Sequence, residues 1–163
     1  MRANIRRRAG RVSCEGGGTG PGGGAALIGI LIVAHDSLGD SLARAVAHVL
    51  GARPAQFEVL SVAATDDPLE LLPVAREQLA RLDSGDGVLV FSDIYGATPC
   101  NLACKLLQPG RVEAVAGVNL PMLVRAFTYR GKGMETMVTK AVSGGCEGVL
   151  RINVDPAHAA TRG

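Results

Sequence analysis

One histidine and one aspartate stand where two predicted strands end. His35 follows the apolar run 27–34, and Asp93 follows the apolar run 88–92. At the carboxyl ends of two neighbouring parallel strands, an imidazole and a carboxylate can come within hydrogen-bond distance. The carboxylate would hold the proton on one ring nitrogen and leave the other nitrogen nucleophilic. The alternative interpretation is structural, with His35 a satisfied histidine and Asp93 a capping acid.

Residues that begin helices follow both members of this pair. Ser37 to Gly39 opens one predicted helix, and Thr98, followed by Pro99, is the predicted N-cap of another. Unpaired backbone N–H groups and two positive helix-dipole ends would converge near His35, which favours binding of a phosphoryl group. The sequence carries no P-loop motif for a nucleotide and no residues at metal-ligand spacing. We therefore expect no cofactor and no metal, and a protein as the phosphoryl donor.

The spacing of apolar residues predicts an alternation of strands and helices around this pair. Strands are predicted over 27–34, 57–62, 88–92, 113–118 and 148–154. Repeated strand-helix units produce an α/β fold with a mainly parallel sheet and helices on both faces. We expect a flavodoxin-like three-layer sandwich with strand order 2-1-3-4, whose switch point lies between the first and third strands.

Composition limits the size of the fold and the class of its partners. The 163 residues suit one globular domain. The formal net charge of +2 is unevenly distributed along the chain. Residues 1–26 contain five arginines and one acidic residue, so the net charge of residues 27–163 is about −2. A mildly acidic body with two Tyr, three Phe and no Trp is not typical of a nucleic-acid-binding protein.

The two ends differ in composition from the body. Residues 1–26 hold eight of the 22 glycines, so we expect a disordered Arg/Gly-rich extension. One hypothesis is that this extension lies upstream of a true start near Leu27. The apolar run that begins there is shorter than the roughly 20 residues that span a bilayer, so no membrane insertion is expected. Residues 155–163 are predicted to be a tail, which leaves 27–154 as the folded domain.

The cysteines and the remaining histidines indicate no further chemistry. No C-x-x-C pair occurs among the four cysteines, so neither a zinc ribbon nor a redox motif is expected. A reduced, cytoplasmic protein is expected, and we interpret Cys100 and Cys104, four residues apart on a predicted helix, as small buried thiols. His48 lies opposite the apolar face of its predicted helix and His158 lies in the tail, so both are predicted to be solvated.

Three motifs together resemble one family of bacterial proteins. They are the strand Gly29–His35, the loop Ser92–Asn101 and the segment Ala116–Leu123. In this order and over about 27–154, the chain is similar to the enzyme IIA component of the mannose family of the sugar phosphotransferase system. The resemblance implies a phosphotransferase component that accepts a phosphoryl group from the phosphocarrier HPr and passes it to an enzyme IIB partner in sugar uptake.

The resemblance also implies roles for individual residues. The strand-ending histidine of the family is the phosphoryl acceptor, which corresponds to His35, and the loop aspartate that orients it corresponds to Asp93. The hydroxyl residue before the loop proline, here Thr98, helps to bind the phosphoryl group. Family members also dimerise by exchanging a terminal antiparallel strand, which would be 148–154 here.

Two positions depart from the family's usual pattern beside the histidine. The family commonly has Thr or Ser before the histidine and Gly after it, where this chain has Ala34 and Asp36. A carboxylate turned toward the site would repel the incoming phosphoryl group by several kcal/mol at close, poorly screened range. We therefore predict that Asp36 faces solvent.

Other interpretations of the same architecture remain open. A receiver domain phosphorylated on aspartate would carry a hydroxyl residue after the fourth strand and a Lys after the fifth, where this chain has Asn119 and Asp155. A flavin-binding flavodoxin would need more aromatic residues than Tyr95 around the ring. A regulatory protein would keep the phosphohistidine, whose phosphorylation state would control binding to a target without transport.

Overall fold

The computed structural model of the chain describes residues 27–152, so the predicted extension 1–26 and tail 155–163 lie outside the described residues. The elements follow in the order β1 (Gly29–His35), α1 (Leu38–Leu50), β2 (Phe57–Val62), α2 (Pro68–Leu82), β3 (Val88–Ser92), α3 (Thr98–Cys104), β4 (Val112–Ala116), α4 (Leu120–Tyr129) and α5 (Met134–Glu147).

The four strands form one parallel sheet in the order β2-β1-β3-β4. This confirms the predicted α/β fold and its strand order. The chain leaves β1 toward β2 on one side and returns to pair β3 with β1 on the other side. The switch point therefore lies between the carboxyl ends of β1 and β3.

The core surrounds β1, whose side chains are buried on both faces of the sheet. Ile30 and Ile32 pack into a cluster with residues of α1, α4 and α5. Leu31 and Val33 point to the other face and pack with residues of α2 and α3. Because successive side chains of a strand alternate between faces, one continuous apolar run produces the helix-sheet-helix sandwich.

The predicted fifth strand is not formed within the described part of this chain. Residues 148–152 follow α5 without strand pairing, and 153–154 lie outside the described residues. Val149, Leu150 and Ile152 are exposed, Ile152 by 93%. Among the described strands β4 pairs only with β3, and its outer edge carries a single bridge to Gln108. An apolar segment and an open sheet edge are thus both left uncovered.

The pair Gly144-Gly145 before the predicted strand 148–154 predicts a flexible link in the sequence, but both glycines lie inside α5 and are buried. A Cβ on Gly144 would lie 2.7 Å from the Cβ of Arg125, and a Cβ on Gly145 would lie 2.6 Å from the Cε of Met122. The prediction of flexibility was wrong because the two glycines serve the close packing of α5 against α4.

Several side chains predicted to be buried are exposed. The helical spacing of Leu38, Leu42, Val46 and Val49 predicts one apolar face for α1, yet Leu38 and Val49 lie at the surface. Cys100 is buried as predicted, but Cys104, the last residue of α3, is exposed. Within 27–152, no helix combines the length and apolar character needed to cross a membrane.

Replacement of Gly29 by Ala is expected to destabilise the fold, because a Cβ there would lie 2.6 Å from the carbonyl oxygen of Leu82 and 2.9 Å from its Cβ. Backbone atoms at the end of α2 cannot move aside without shifting the helix, so we expect a loss of about 1–3 kcal/mol in the free energy of unfolding. Urea denaturation measures this loss. Gly131→Ala is the matched control, since the nearest atom there is 3.7 Å away. Equal stability of the two variants would contradict the packing described for Gly29.

Candidate functional site

His35 is the last residue of β1, and Asp93 directly follows β3. The two strands are parallel neighbours, and their last paired residues are Val33 and Ser92. Both side chains therefore leave the sheet at its carboxyl edge, at the switch point of the fold. The structure brings the two residues predicted from the sequence into direct contact.

One oxygen of Asp93 binds His35 twice. Asp93 Oδ2 accepts a hydrogen bond from the backbone N–H of His35 at 2.9 Å and lies 2.7 Å from the ring Nδ1. Its other oxygen, Oδ1, accepts from the backbone N–H of Ile94 at 2.8 Å. This arrangement fixes the ring orientation and places the proton on Nδ1.

The second ring nitrogen of His35 is the chemically available one. Once the proton is on Nδ1, the lone pair of Nε2 lies in the plane of the ring and is free to act as a nucleophile. The His35 side chain is 43% exposed, whereas that of Asp93 is only 9% exposed. An external group can therefore reach the imidazole, while the carboxylate behind it is shielded from solvent.

The Asp93 carboxylate is stabilised in its charged form. Burial by itself raises the pKa of Asp93, but the hydrogen bonds from His35 and from the Ile94 N–H outweigh burial and hold that pKa below its usual value. A fixed negative charge therefore faces Nδ1 at neutral pH. Such a charge stabilises any positive charge that develops on the imidazole.

Ser37 and Thr98 begin helices at the same edge of the sheet. Ser37 is the N-cap of α1, and its hydroxyl makes no capping hydrogen bond. Thr98 is exposed and is the first residue of α3 rather than its N-cap. That prediction was wrong by one residue, because the first helical hydrogen bond runs from Asn101 N–H to the carbonyl of Ala97. Within the described residues neither hydroxyl is hydrogen-bonded to His35 or Asp93.

Asp36 is exposed, as predicted, and its backbone has a positive φ of 44°. Its N–H donates to the carbonyl of Val62 at 3.1 Å, which ties the turn after β1 to the end of β2. A left-handed conformation favours glycine, although Asp tolerates it better than most residues. The backbone here thus has the shape that suits the glycine of the family pattern.

The loop after Asp93 contributes features that the sequence did not reveal. Asn101 donates through its side-chain amide to the carbonyl of Gly96 at 3.3 Å and so fastens the loop to α3. Ile94 and Tyr95 are exposed, Tyr95 by 84%. The hydroxyl of Ser92 is buried without a hydrogen-bond partner in the described structure. Of these, only the exposure of Tyr95 had a signal in the sequence, namely an aromatic residue in a loop next to the predicted site.

The other histidine on the described part of the chain does not belong to the site. His48 is exposed near the end of α1, at the opposite end of that helix from Ser37. His158 lies outside the described residues. Among the described residues, His35 is therefore the histidine that lies at this edge of the sheet.

Comparison with known proteins decides the family. A family model described as the PTS system fructose IIA component matches residues 29–142. The chain belongs to this family of phosphotransferase-system IIA components. The match includes the whole of the His35–Asp93 site and confirms the resemblance drawn from the sequence motifs.

Individual relatives agree with this assignment. This chain is 37% identical over 86 residues to the PTS system mannose-specific EIIAB component of Escherichia coli K12. The match covers 51% of this chain and 27% of that protein. The chain thus spans about a quarter of the length of the curated relatives that it matches.

Two solved structures share the fold. The mannose/sorbose specific IIA subunit from Enterococcus faecalis superposes with a TM-score of 0.70 at 21% identity, covering 78% of this chain and 96% of that one. A sigma-54 interaction domain protein from the same species superposes with a TM-score of 0.64 at 15% identity, covering 76% of this chain and 94% of that one. At these identities the likeness concerns the fold alone.

Proposed function

We propose that this chain is a phosphohistidine carrier that accepts a phosphoryl group from phospho-HPr on His35 and passes it to an enzyme IIB partner in sugar uptake. The observation that supports the proposal is the double hydrogen bond from His35 to Asp93 Oδ2, which leaves Nε2 without a hydrogen-bond partner among the described residues, on a side chain that is 43% exposed. Family membership supports the general role of a IIA component of the phosphotransferase system.

The transfer step is a displacement at phosphorus. The Nε2 lone pair of His35 forms a bond to phosphorus as the phosphorus-nitrogen bond of the donor phosphohistidine breaks, and its electron pair returns to the donor imidazole. Nδ1 keeps its proton, so the phosphorylated His35 ring carries a positive charge. Asp93 lies against that ring at 2.7 Å and offsets this charge. Transfer to the IIB partner is the same displacement in the reverse direction.

Ser37 and Thr98 are the candidates for holding the phosphoryl oxygens. Both hydroxyls are exposed at the carboxyl edge, and the N–H groups of the first turn of α1 lie beside Ser37. Hydroxyl and backbone N–H donors bind phosphoryl oxygens without a metal or cofactor. A substitution at Ser37 or Thr98 should therefore weaken binding of the phosphoryl group without changing the His35–Asp93 contact.

The surface around His35 suits a basic and partly apolar partner. None of the four loops at this edge, 36–37, 63–67, 93–97 and 117–119, contains Lys or Arg, and the first three contain Asp. Ile94 and Tyr95 project from the third of these loops. Complementary charge speeds encounter, and an exposed aromatic residue next to the reacting atom is a natural contact for a docking protein.

A reconstituted phosphoryl relay in solution tests the proposal. Incubation of the full chain with phosphoenolpyruvate, enzyme I and HPr should label it with one phosphate, and labelling should be absent when HPr is omitted. A chase with a mannose-family IIB domain should then remove the label from the chain. Absence of labelling by phospho-HPr would overturn the proposal.

A regulatory role is the second candidate. The same fold occurs in a protein from Enterococcus faecalis whose name refers to a sigma-54 interaction domain and not to a sugar. In this case phospho-HPr would label His35, but no IIB domain would remove the label. The chase in the relay therefore separates transport from regulation.

The carrier is also proposed to be a cytoplasmic homodimer in which residues 148–154 of each chain pair with the other. The support is the combination of an open outer edge on β4 with the exposed apolar residues Val149, Leu150 and Ile152. Pairing across a two-fold axis would cover both the edge and the segment, whereas a single chain leaves them exposed.

Deletion of residues 148–163 is expected to produce an unstable or aggregating protein, because the edge of β4 would lose its cover in the dimer. Deletion of 1–26 is the control and is expected to change neither the oligomeric state nor phosphoryl transfer. Light scattering measures the mass of both variants and of the full chain. A monomeric full chain at micromolar concentration, or a stable and active variant without 148–163, would contradict strand exchange.

A further inference from the structure

A cavity of about 530 Å³ lies at the amino edge of the sheet, opposite to His35. Its walls are the second half of α2 and the connection from α3 to β4, and its floor includes Val88 and Val112, the first residues of β3 and β4. Because His35 and Asp93 lie beyond the carboxyl ends of the strands, the cavity is separate from the phosphoryl site. Its volume falls within the range of about 300–1,000 Å³ that holds small ligands.

Three cationic side chains line this cavity: Arg76, Lys105 and Arg111. The one carboxylate among the lining residues, that of Asp83, is already bound. Its Oδ2 lies 2.8 Å from Arg111, and its Oδ1 accepts the N–H groups of Gly85 and Gly87. Asp83 therefore neutralises Arg111 and holds it in place, but it leaves the charges of the other two cations unbalanced.

Arg76 and Lys105 have no acidic partner at ion-pair distance in the part of the chain that the structure describes. Lys105 is the C-cap of α3, where a cation also offsets the negative end of the helix dipole. Arg76 has no such role, because it lies in the middle of α2, away from either end. Two unbalanced cations facing one cavity favour an anion there.

Apart from the polar side chain of Gln108, the other residues that line the cavity are apolar. Leu79 and Leu106 are buried in its wall, and Leu107 is half exposed at its rim. An inorganic anion would leave this apolar surface in contact with water, whereas an organic anion would cover it. Apolar contact combined with a few fixed charges is the usual composition of a small-molecule site.

We propose that this cavity binds a small organic anion whose apolar part lies on Leu79, Leu106 and Leu107 and whose phosphate, sulfonate or carboxylate group is held by Arg76 and Lys105. The site is independent of phosphoryl transfer on His35. It nevertheless adjoins α3, the helix that begins with Thr98 and ends at Cys104, directly before Lys105. Seven residues of helix, about 10 Å, thus separate the bound anion from the phosphoryl edge.

The test uses two fluorescent probes that differ in charge and share the same rings. 8-Anilinonaphthalene-1-sulfonate carries a sulfonate, and N-phenyl-1-naphthylamine is its uncharged counterpart. The full chain is titrated with each probe. We expect saturable binding of one sulfonate probe per chain and an affinity that falls as salt is raised, because the ionic part of the interaction is screened.

Two matched double variants locate the charges. Arg76→Gln with Lys105→Gln should weaken binding of the sulfonate about tenfold and leave that of the uncharged probe unchanged. Arg44→Gln with Lys132→Gln removes one exposed Arg and one exposed Lys outside the cavity and should change neither affinity. Leu107→Ala should weaken both probes, because both lose apolar contact.

Each of three results would overturn the proposal. Unchanged affinity for the sulfonate probe in the double variant of Arg76 and Lys105 would show that these two side chains do not bind the sulfonate. An equal loss of sulfonate affinity in the two double variants would show that only the net charge of the protein matters. A loss of affinity for the uncharged probe as large as that for the sulfonate would show that the site does not recognise charge. None of these results depends on whether His35 accepts phosphate, so the proposed function is tested separately.

Discussion

Replacement of His35 by Ala is expected to abolish phosphate incorporation from phosphoenolpyruvate, enzyme I and HPr. His35 is the histidine whose Nδ1 is bound by a buried carboxylate and whose side chain is open to solvent at the sheet edge. Without the imidazole there is no nucleophile to form the phosphorus-nitrogen bond, so the loss should be complete rather than partial. Radiolabelled phosphoenolpyruvate followed by gel autoradiography measures it.

His48→Ala is the control for this experiment. His48 is an exposed histidine at the far end of α1, so its removal should leave labelling unchanged. The phosphate on the unmodified protein should be labile in acid and stable in base, as expected for a phosphorus-nitrogen bond to imidazole and not for a phosphoserine or phosphothreonine. Labelling that persists in His35→Ala would show that His35 is not the phosphoryl acceptor.

Replacement of Asp93 by Asn is expected to slow phosphoryl transfer by about 10- to 10³-fold, the range set by the loss of comparable orienting groups. Asn has the shape of Asp but no charge, and only one of its two side-chain atoms accepts hydrogen bonds. The positive charge of the phosphorylated ring would therefore lose its partner, and Nδ1 would lose a fixed acceptor. Rapid-quench kinetics of transfer from phospho-HPr measures the effect.

Two further measurements distinguish an effect on His35 from general damage to the fold. The ¹⁵N chemical shifts of the His35 ring should indicate a proton on Nδ1 in the unmodified chain and a mixture of tautomers in Asp93→Asn. Asp86→Asn, an exposed position in the turn before β3, should leave both transfer and tautomer unchanged. Normal transfer kinetics in Asp93→Asn would show that the contact between His35 and Asp93 does not contribute to phosphoryl transfer.

The stability of Asp93→Asn should also depend on pH in a defined direction. Because the folded state holds the pKa of Asp93 below its usual value, the carboxylate stabilises the fold above the ordinary pKa of about 4. This contribution is lost as pH falls through the lowered pKa. The difference in unfolding free energy between the unmodified chain and Asp93→Asn should therefore be largest near neutral pH and should narrow in acid.

The order of strands and helices followed from the sequence because local patterns carry it. The apolar run before His35 is longer than a half-exposed strand requires, and this marks a strand covered on both faces. Asp67 followed by Pro68 marks the start of α2, and the Asp67 side chain does accept the N–H of Leu69. Once the strands are parallel and their order is 2-1-3-4, the meeting of His35 with Asp93 follows from where each strand ends.

The finer features depended on contacts between residues distant in the chain, which no local pattern encodes. A single oxygen of Asp93 binds both the backbone N–H and the ring of His35. This double contact results from the register of β1 against β3. Gly144 and Gly145 look like a flexible link by composition, but the approach of α4 makes them a packing surface. The last apolar residues, 149–152, resemble a strand by composition, yet a strand forms only where another edge accepts its hydrogen bonds. Sequence alone therefore indicated which side chains could do chemistry, and the tertiary structure decided which atoms face each other, because register and helix packing arise from long-range contacts.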